Sequence, residues 1–235
     1  MPKNKLPRPE TTLIFSISVD GRITSRDSDK LDPDKNWKKK QGVRGILQQF
    51  YGITQSKNDY SLTTGQAMVK NGVNIKTILP SKKSKLNLII WDQTSCLTTK
   101  GINYLIKSVN RLIFITKANN PYLKSKKIPK NLQLISYKRK ANLKQLINQL
   151  KTKYKVKKLT IQSAGTLNSQ WINQGLIDYL TVIIYPLLIG NSGTPVLIDT
   201  TPLKVLSLNL ESSRVFDNRY LALRYKVINP IPPKH

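Results

Sequence analysis

Apolar positions along the chain fall in separated blocks whose spacing switches between two, the period of a strand, and about 3.6, the period of a helix. Over 12–19, Leu13, Phe15 and Ile17 alternate with Ile14 and Ser16, which predicts a strand ending at the turn pair Asp20-Gly21. Residues 26–41 are charged and polar and read as a surface loop, 43–51 has helical spacing, and 60–63 reads as a short strand. The continuous apolar run 88–91, closed by Asp92, predicts a central strand buried on both faces. Residues 112–116 repeat that form after a predicted helix over 101–107. The strongest helical pattern follows Asn142, an apt N-cap, because Leu143, Leu146, Ile147 and Leu150 fall on one face. A strand over 158–162, a helix over 166–174 and a strand over 179–185 come next. Strands at 204–210 and 220–227, separated by a polar connection containing Asp217-Asn218, predict an antiparallel hairpin. Alternating strands and helices imply an α/β fold with a mostly parallel sheet.

At 235 residues the chain suits one domain, with a structured core over 12–227 and basic, proline-containing tails. One cysteine, Cys96, and one histidine, His235, cannot supply a zinc site, so no metal is expected, and a lone thiol forms no intrachain disulfide. No apolar stretch approaches the roughly 20 residues of a membrane span, and no signal core follows the basic N-terminus. A cytoplasmic protein without a membrane partner is the expectation. Forty Lys and Arg against 12 Asp and Glu give a net charge of +28, which raises nucleic acid as a partner. Against that, the lysines are spread over nearly every predicted loop, accompany abundant Asn and Ile as an AT-rich coding bias would produce, and are not interleaved with stacking aromatics. The charge still favours encounter with phosphorylated ligands.

The sharpest local feature is the run 159–168, where an apolar strand stops at Ser163-Ala164-Gly165-Thr166 and a helix begins. Small residues allow close backbone approach, and a helix N-terminus presents unpaired N–H groups to a diphosphate. A tight strand-to-helix turn with no ligand accounts for the same residues equally well. Trp37, Trp91 and Trp171 read as packing residues, and of the three only Trp37, in the polar loop, is also a candidate substrate stacker. Cys96 reads as a packed thiol.

From residue 160 to 199 the chain resembles the reductase domain of the riboflavin-biosynthesis deaminase/reductase family. Three blocks in order carry the resemblance: Gln162-Ser163-Ala164-Gly165, Gly175-Leu176-Ile177-Asp178 and Pro186-Leu187-Leu188-Ile189-Gly190. Ser18-Val19-Asp20-Gly21-Arg22-Ile23 is similar to the family's element beside substrate and nicotinamide, and Ser61-Leu62-Thr63-Thr64-Gly65-Gln66 to its segment near the cofactor phosphates. Two positions depart from the family pattern: Ala164 replaces the first glycine of a pair, and Gln66 stands where many relatives have arginine.

The resemblance implies a dihydrofolate-reductase-like three-layer sandwich, mostly parallel with an antiparallel C-terminal hairpin. It implies an NADPH-dependent reductase, with NADH the alternative donor, that reduces the ribosyl group of a phosphoribosylamino-pyrimidine to ribityl. Asp20 is then the catalytic carboxylate, orienting substrate or relaying a proton, while capping of the turn after the first strand accounts for the same residue without a ligand. Ser18, Gly21, Arg22 and Thr63 bind substrate. Thr64, Gly65, Gln66, Thr116, Ser163, Ala164, Gly165, Thr166 and Leu167 hold the cofactor. Asp178 is expected to cap structurally, and Asp92 either faces a ligand or bonds the loop that follows it. A homodimer paired through a sheet edge is implied, while the deaminase domain of bifunctional relatives is absent and deamination falls to another protein. The competing readings are a reductase of another pterin or pyrimidine, and a basic nucleic-acid-binding protein on a degenerate reductase scaffold.

Overall fold

In the computed structural model the described residues are 7–24, 37–43, 59–125, 127–139, 141–163, 165–190, 196 and 206–228. The chain divides into two compact units, Met1–Pro9 with Gln55–Gln162 and Glu10–Thr54 with Ser163–His235.

The first unit is built from parallel strands and their crossover helices. Its strands are β2 (Asp59–Thr64), β3 (Ser84–Asp92), β4 (Val109–Lys117), β5 (Leu132–Tyr137) and β6 (Lys158–Ile161). They lie in the order β5-β4-β3-β2-β6, every neighbouring pair parallel. Leu88, Ile89, Ile90 and Trp91 are all buried, which explains why β3 shows no alternation. Helices α1 (Gly65–Lys70), α2 (Thr99–Ser108) and α3 (Leu143–Thr152) connect the strands. On α2, Ile102, Leu105 and Ile106 pack in one core cluster with Leu88, Leu112 and Phe114. The side chain of Asn142 caps α3 by accepting from Gln145 N at 3.1 Å, and Leu143, Leu146, Ile147 and Leu150 are buried as their spacing predicts.

The second unit is mixed. Strands β1 (Glu10–Ser18), β7 (Tyr179–Tyr185), β8 (Ser207–Phe216) and β9 (Tyr220–Ile228) lie in the order β1-β7-β9-β8. β1 and β7 are parallel from Thr12↔Tyr179 to Ser18↔Tyr185, and the other two pairings are antiparallel. α4 (Gly165–Asn173) buries Leu167, Trp171 and Ile172. The start of the β1–β7 pair is tied by Asp178, whose Oδ2 accepts from Thr11 N at 2.9 Å and Thr11 Oγ1 at 3.1 Å. That is the capping role expected of it.

Of the two readings of Trp37 the packing one holds, and several other expectations change. Trp37 is a core residue, 1% exposed, with its ring edge-to-face on Tyr185 at 5.3 Å, and Tyr185 meets Tyr220 in the same way at 5.2 Å. Its polar neighbours in sequence left the stacking role open; a single short 3-10 turn, Trp37–Lys39, turns the indole inward while Lys38 and Lys39 stay exposed. Strand β5 was not foreseen, because its buried residues Leu132 and Ile135 do not alternate. β8 runs later and longer than 204–210 and crosses the polar Glu211-Ser212-Ser213, with its register shifting between Leu210 and Ser212. The turn sets its place: Asp217 and Asn218 both have left-handed φ of 51° in the three-residue connection, Asp217 to Arg219, between the paired Phe216 and Tyr220. The helix predicted over 43–51 lies, from residue 44 onward, outside the described residues. The positive charge is also less even than expected: of 12 Asp and Glu only Asp59 and Asp92 fall in the first unit, against 26 of the 40 Lys and Arg.

Trp37→Ala should destabilise the protein by about 3–5 kcal/mol, as expected for emptying a buried aromatic site. Urea unfolding measures this; a substitution costing nothing would return Trp37 to the surface.

Candidate active site

The residues after β1 and after β7 form one clasp. Ser18 closes β1, and its hydroxyl donates to Asp20 Oδ1 at 2.6 Å while accepting from Arg22 N at 2.9 Å. Asp20 reaches across to the exit of β7: Oδ1 accepts from Ile189 N at 3.1 Å and Oδ2 from Gly190 N at 2.8 Å. Backbone bonds complete the turn, Gly21 N to Ser18 O at 3.0 Å and Val19 N to Leu187 O at 2.9 Å. Gly21 and Gly190 have φ of +81° and +70°, and no atom lies within 4 Å of a Cβ built on either, so backbone conformation rather than space selects glycine. Two of the sequence blocks are therefore halves of one structure.

The clasp decides the state of Asp20. The Ser18 hydroxyl and then the Gly190 amide hold its carboxyl down at about 2, with the Ile189 amide adding to them against a small desolvation cost. Arg22 Nε, 4.0 Å from Oδ2, lies at the outer limit of an ion pair. A carboxylate so strongly acidic accepts hydrogen bonds near neutral pH and delivers no proton, and the bonds it accepts, from Ser18, Ile189 and Gly190, are those of the turn-capping role.

At the start of α4, Gly165 and Leu167 are buried and Thr166 is exposed; Ala164 lies outside the described residues. Ser163 Oγ donates to the buried Asn168 Oδ1 at 2.6 Å, and Ser169 Oγ donates to Gly165 O at 2.9 Å. The first-turn amides of a helix have no intrahelical acceptor, and no acidic residue occupies this turn. The α4 terminus thus fits an anionic diphosphate.

In the first unit, Thr63 and Thr64 end β2, and Thr64 caps α1 by accepting from Ala67 N at 3.2 Å. Gly65 and Gln66 form the first turn, also without an acid. A Cβ on Gly65 would meet Asp92 Oδ1 at 2.5 Å, so its missing side chain makes room for protein. Asp92 is fully buried and turned inward: Oδ1 accepts from Cys96 N at 3.0 Å and Oδ2 from Leu97 N at 3.0 Å. This settles its two expected roles in favour of the loop-start bond. Burial pushes the Cys96 thiol up, as expected of a packed thiol. Thr116 is also fully buried, its hydroxyl donating to Asp92 O at 3.2 Å and accepting from Asn120 Nδ2 at 3.0 Å. Its hydroxyl is spent on protein rather than offered to a cofactor ribose.

Sequence reasoning missed the acceptor role of Asp20 toward residues 189–190, although the two family blocks signalled that both ends matter. It also missed a cavity of about 570 Å³ in the second unit, lined by Gly42, Val43, Asp217, Asn218, Arg219 and Tyr220. Arg219 Nη1 donates to Gly42 O at 2.8 Å there. Tyr220 contacts Tyr185, the last residue of β7, so this space opens at the clasp's end of the unit.

Because folding lowers the Asp20 pKa from 3.8 to about 2, its contribution to stability is complete above pH 4 and is lost as pH falls through about 2. Asp20→Asn, whose amide would face a backbone N–H, should be less stable than wild type at pH 7, with the gap closing between pH 4 and 2. Thermal unfolding of both proteins across that range checks this, and a gap independent of pH would show that the clasp does not depend on ionisation.

The family model described as the RibD C-terminal domain matches residues 9–222. RibD of Acinetobacter baumannii superposes with a TM-score of 0.65 at 16% identity, covering 94% of this chain and 58% of that one. The riboflavin biosynthesis reductase Rib7 of Saccharomyces cerevisiae gives 0.62 at 13% identity, covering 97% and 93%. A Thermotoga maritima diaminohydroxyphosphoribosylaminopyrimidine deaminase/5-amino-6-(5-phosphoribosylamino)uracil reductase gives 0.64 at 12% identity, covering 94% and 57%. The chain thus spans less than three fifths of the RibD and deaminase/reductase chains and nearly all of Rib7. No curated protein matches the sequence. The expected α/β fold, mostly parallel with an antiparallel C-terminal hairpin, is shared with these reductases. With that fold, and with the family model matched over residues 9–222, the chain belongs to the RibD C-terminal domain family.

Proposed function

We propose that the chain is an oxidoreductase of riboflavin biosynthesis that reduces the ribosyl group of a phosphoribosylamino-pyrimidine to ribityl, using NADPH in preference to NADH, as one reductase domain over 12–227. The observation that carries this reading is the clasp of Asp20 with Ile189 and Gly190, because it joins two family blocks at the carboxyl ends of β1 and β7, the end where open α/β sheets bind ligands. The cavity beyond Tyr220 adds room on that side.

A nicotinamide cofactor, when bound, would supply the hydride that reduces the ribosyl group. The chain's own work is binding and orientation. Amides of Gly165, Thr166 and Leu167 receive the diphosphate beside Ser163 and Ala164, and Thr64, Gly65 and Gln66 offer a second helix terminus to phosphate. Ser18, Gly21 and Arg22 hold the substrate, with Thr63 at the end of β2. Asp20 keeps Ser18 and Arg22 in place as an ionised group. The proton that completes the reduction then comes from water or from the substrate itself.

The reading also includes a homodimer paired at a sheet edge. β8 pairs only with β9 among the described strands, and its register places Leu208, Leu210 and Val215 opposite Val227, Tyr225 and Leu221 on one face. All three β8 residues are exposed, a liability for an edge strand that a second copy would remove.

Titrating NADPH against its fluorescence should give saturable binding in the micromolar range. Gly165→Val should abolish it and Ala164→Gly should preserve or tighten it; a Gly165→Val protein with unchanged affinity would make this turn purely structural. NADPH oxidation with the phosphoribosylamino-pyrimidine then tests the substrate, and inertness toward it with a functional cofactor site would redirect the reading to another pterin or pyrimidine. Sedimentation should show a dimer that Leu210→Asp with Val215→Asp converts to monomer, whereas a wild-type monomer at high concentration would remove the dimer.

A further inference from the structure

The start of α4 uses its side-chain oxygens differently from the starts of α1, α2 and α3. Thr64 caps α1 by accepting from Ala67 N at 3.2 Å, Thr98 caps α2 by accepting from Gly101 N at 3.2 Å, and Asn142 caps α3 in the same way. Each cap occupies one of the amides that a helix start leaves without an intrahelical acceptor. At α4 the residue before Gly165 is an alanine, which has no side-chain oxygen. The nearest hydroxyl before it is that of Ser163, and among the described residues no α4 amide donates to it. Instead it donates to Asn168 Oδ1 at 2.6 Å.

Asn168 is a costly residue to bury at this place. It is 1% exposed, one turn into α4, and on the same face as the buried Trp171 and Ile172, three and four residues on. Asparagine is a poor helix former, and an enclosed carboxamide costs free energy unless its polar atoms are bonded. Packing alone would favour an aliphatic side chain at 168. What the asparagine adds is an acceptor for a hydroxyl that lies outside the helix. Ser169, buried beside it, bonds back to Gly165 O at 2.9 Å and so leaves the same amides alone.

We propose that Asn168 is a positioning residue of the cofactor site, holding the Ser163 hydroxyl away from the first turn of α4 so that the Thr166 and Leu167 amides stay available to a diphosphate. The inference rests on the reading of the α4 terminus as the diphosphate site. Without Oδ1, the half-buried Ser163 hydroxyl loses its partner, and the first-turn amides are the unpaired groups closest to it in sequence. A serine turned toward them caps the helix and competes with a ligand oxygen for the same donors. Asn168, enclosed in the protein, acts through Ser163 and does not itself meet the cofactor.

The test is a double-substitution cycle on the full chain, read by NADPH titration below the melting transition of each variant. Asn168→Leu should weaken binding about fivefold, the worth of one side-chain cap. In a Ser163→Ala background, where no hydroxyl can turn to the helix, the same substitution should change affinity by less than about twofold. Adenosine diphosphate, which carries the diphosphate without nicotinamide, should show the same pattern. Asn168→Ala, which leaves space instead of filling it, should repeat both results and serves where the leucine disturbs folding. Equal losses in the two backgrounds would mean that Asn168 serves the fold alone and would overturn the proposal. So would wild-type affinity in both Asn168 variants. Those failures differ from failure of the cofactor reading, in which the wild-type protein binds no NADPH or Gly165→Val leaves its affinity unchanged; that result would remove the inference as well.

Discussion

One ionised carboxylate, Asp20, organises the second unit. Arg22 Nε approaches it to 4.0 Å, and its two oxygens satisfy a hydroxyl and two backbone amides from a loop far away in sequence. Such bonds to a charged acceptor are stronger than neutral ones, and they fix where two adjacent parallel strands release the chain. Asp178 does the corresponding work at the strands' other end through Thr11, and Asp92 does it for the loop after β3. Acids are scarce in this chain, and these three are spent on backbone N–H groups. The abundance of lysine therefore does not starve the fold, because its carboxylates serve geometry more than charge balance.

How much of this was legible in the sequence follows from how local each signal is. α3 was readable because cap and apolar stripe both lie within ten residues, and β3 because burial on both faces leaves an unbroken apolar run. β8 was not, since its polar centre has no amphipathic pattern and its place depends on pairing with β9 across the Asp217-Asn218 turn. Trp37 left a second reading open for a related reason: lysines follow it in sequence, whereas its neighbours in space are Tyr185 and Val43. In the candidate site, the family blocks identified the right segments but not the bonds between them. That Asp20 and Gly190 act on each other is a long-range fact, and no local pattern encodes it.

The candidate residues of each unit rely on placement. In the second unit the Asp20 carboxylate is too acidic to move protons at neutral pH and α4 starts without an acid; in the first unit α1 also starts without one, and Thr116 is withdrawn into the interior. Those properties agree with chemistry in which a cofactor performs the difficult step and the protein holds reactants in register.

The close approach of Gly65 to Asp92 has a consequence for how this family can vary. With an oxygen of Asp92 only 2.5 Å from where a Cβ would stand, position 65 cannot acquire a side chain unless position 92 shrinks or withdraws. Asp92 in turn cannot withdraw without releasing Cys96 and Leu97. The two positions form a locked pair that evolution, or an engineer seeking a different cofactor preference, must change together, while Gln66 beside them, exposed in the first turn of α1, remains open to substitution on its own.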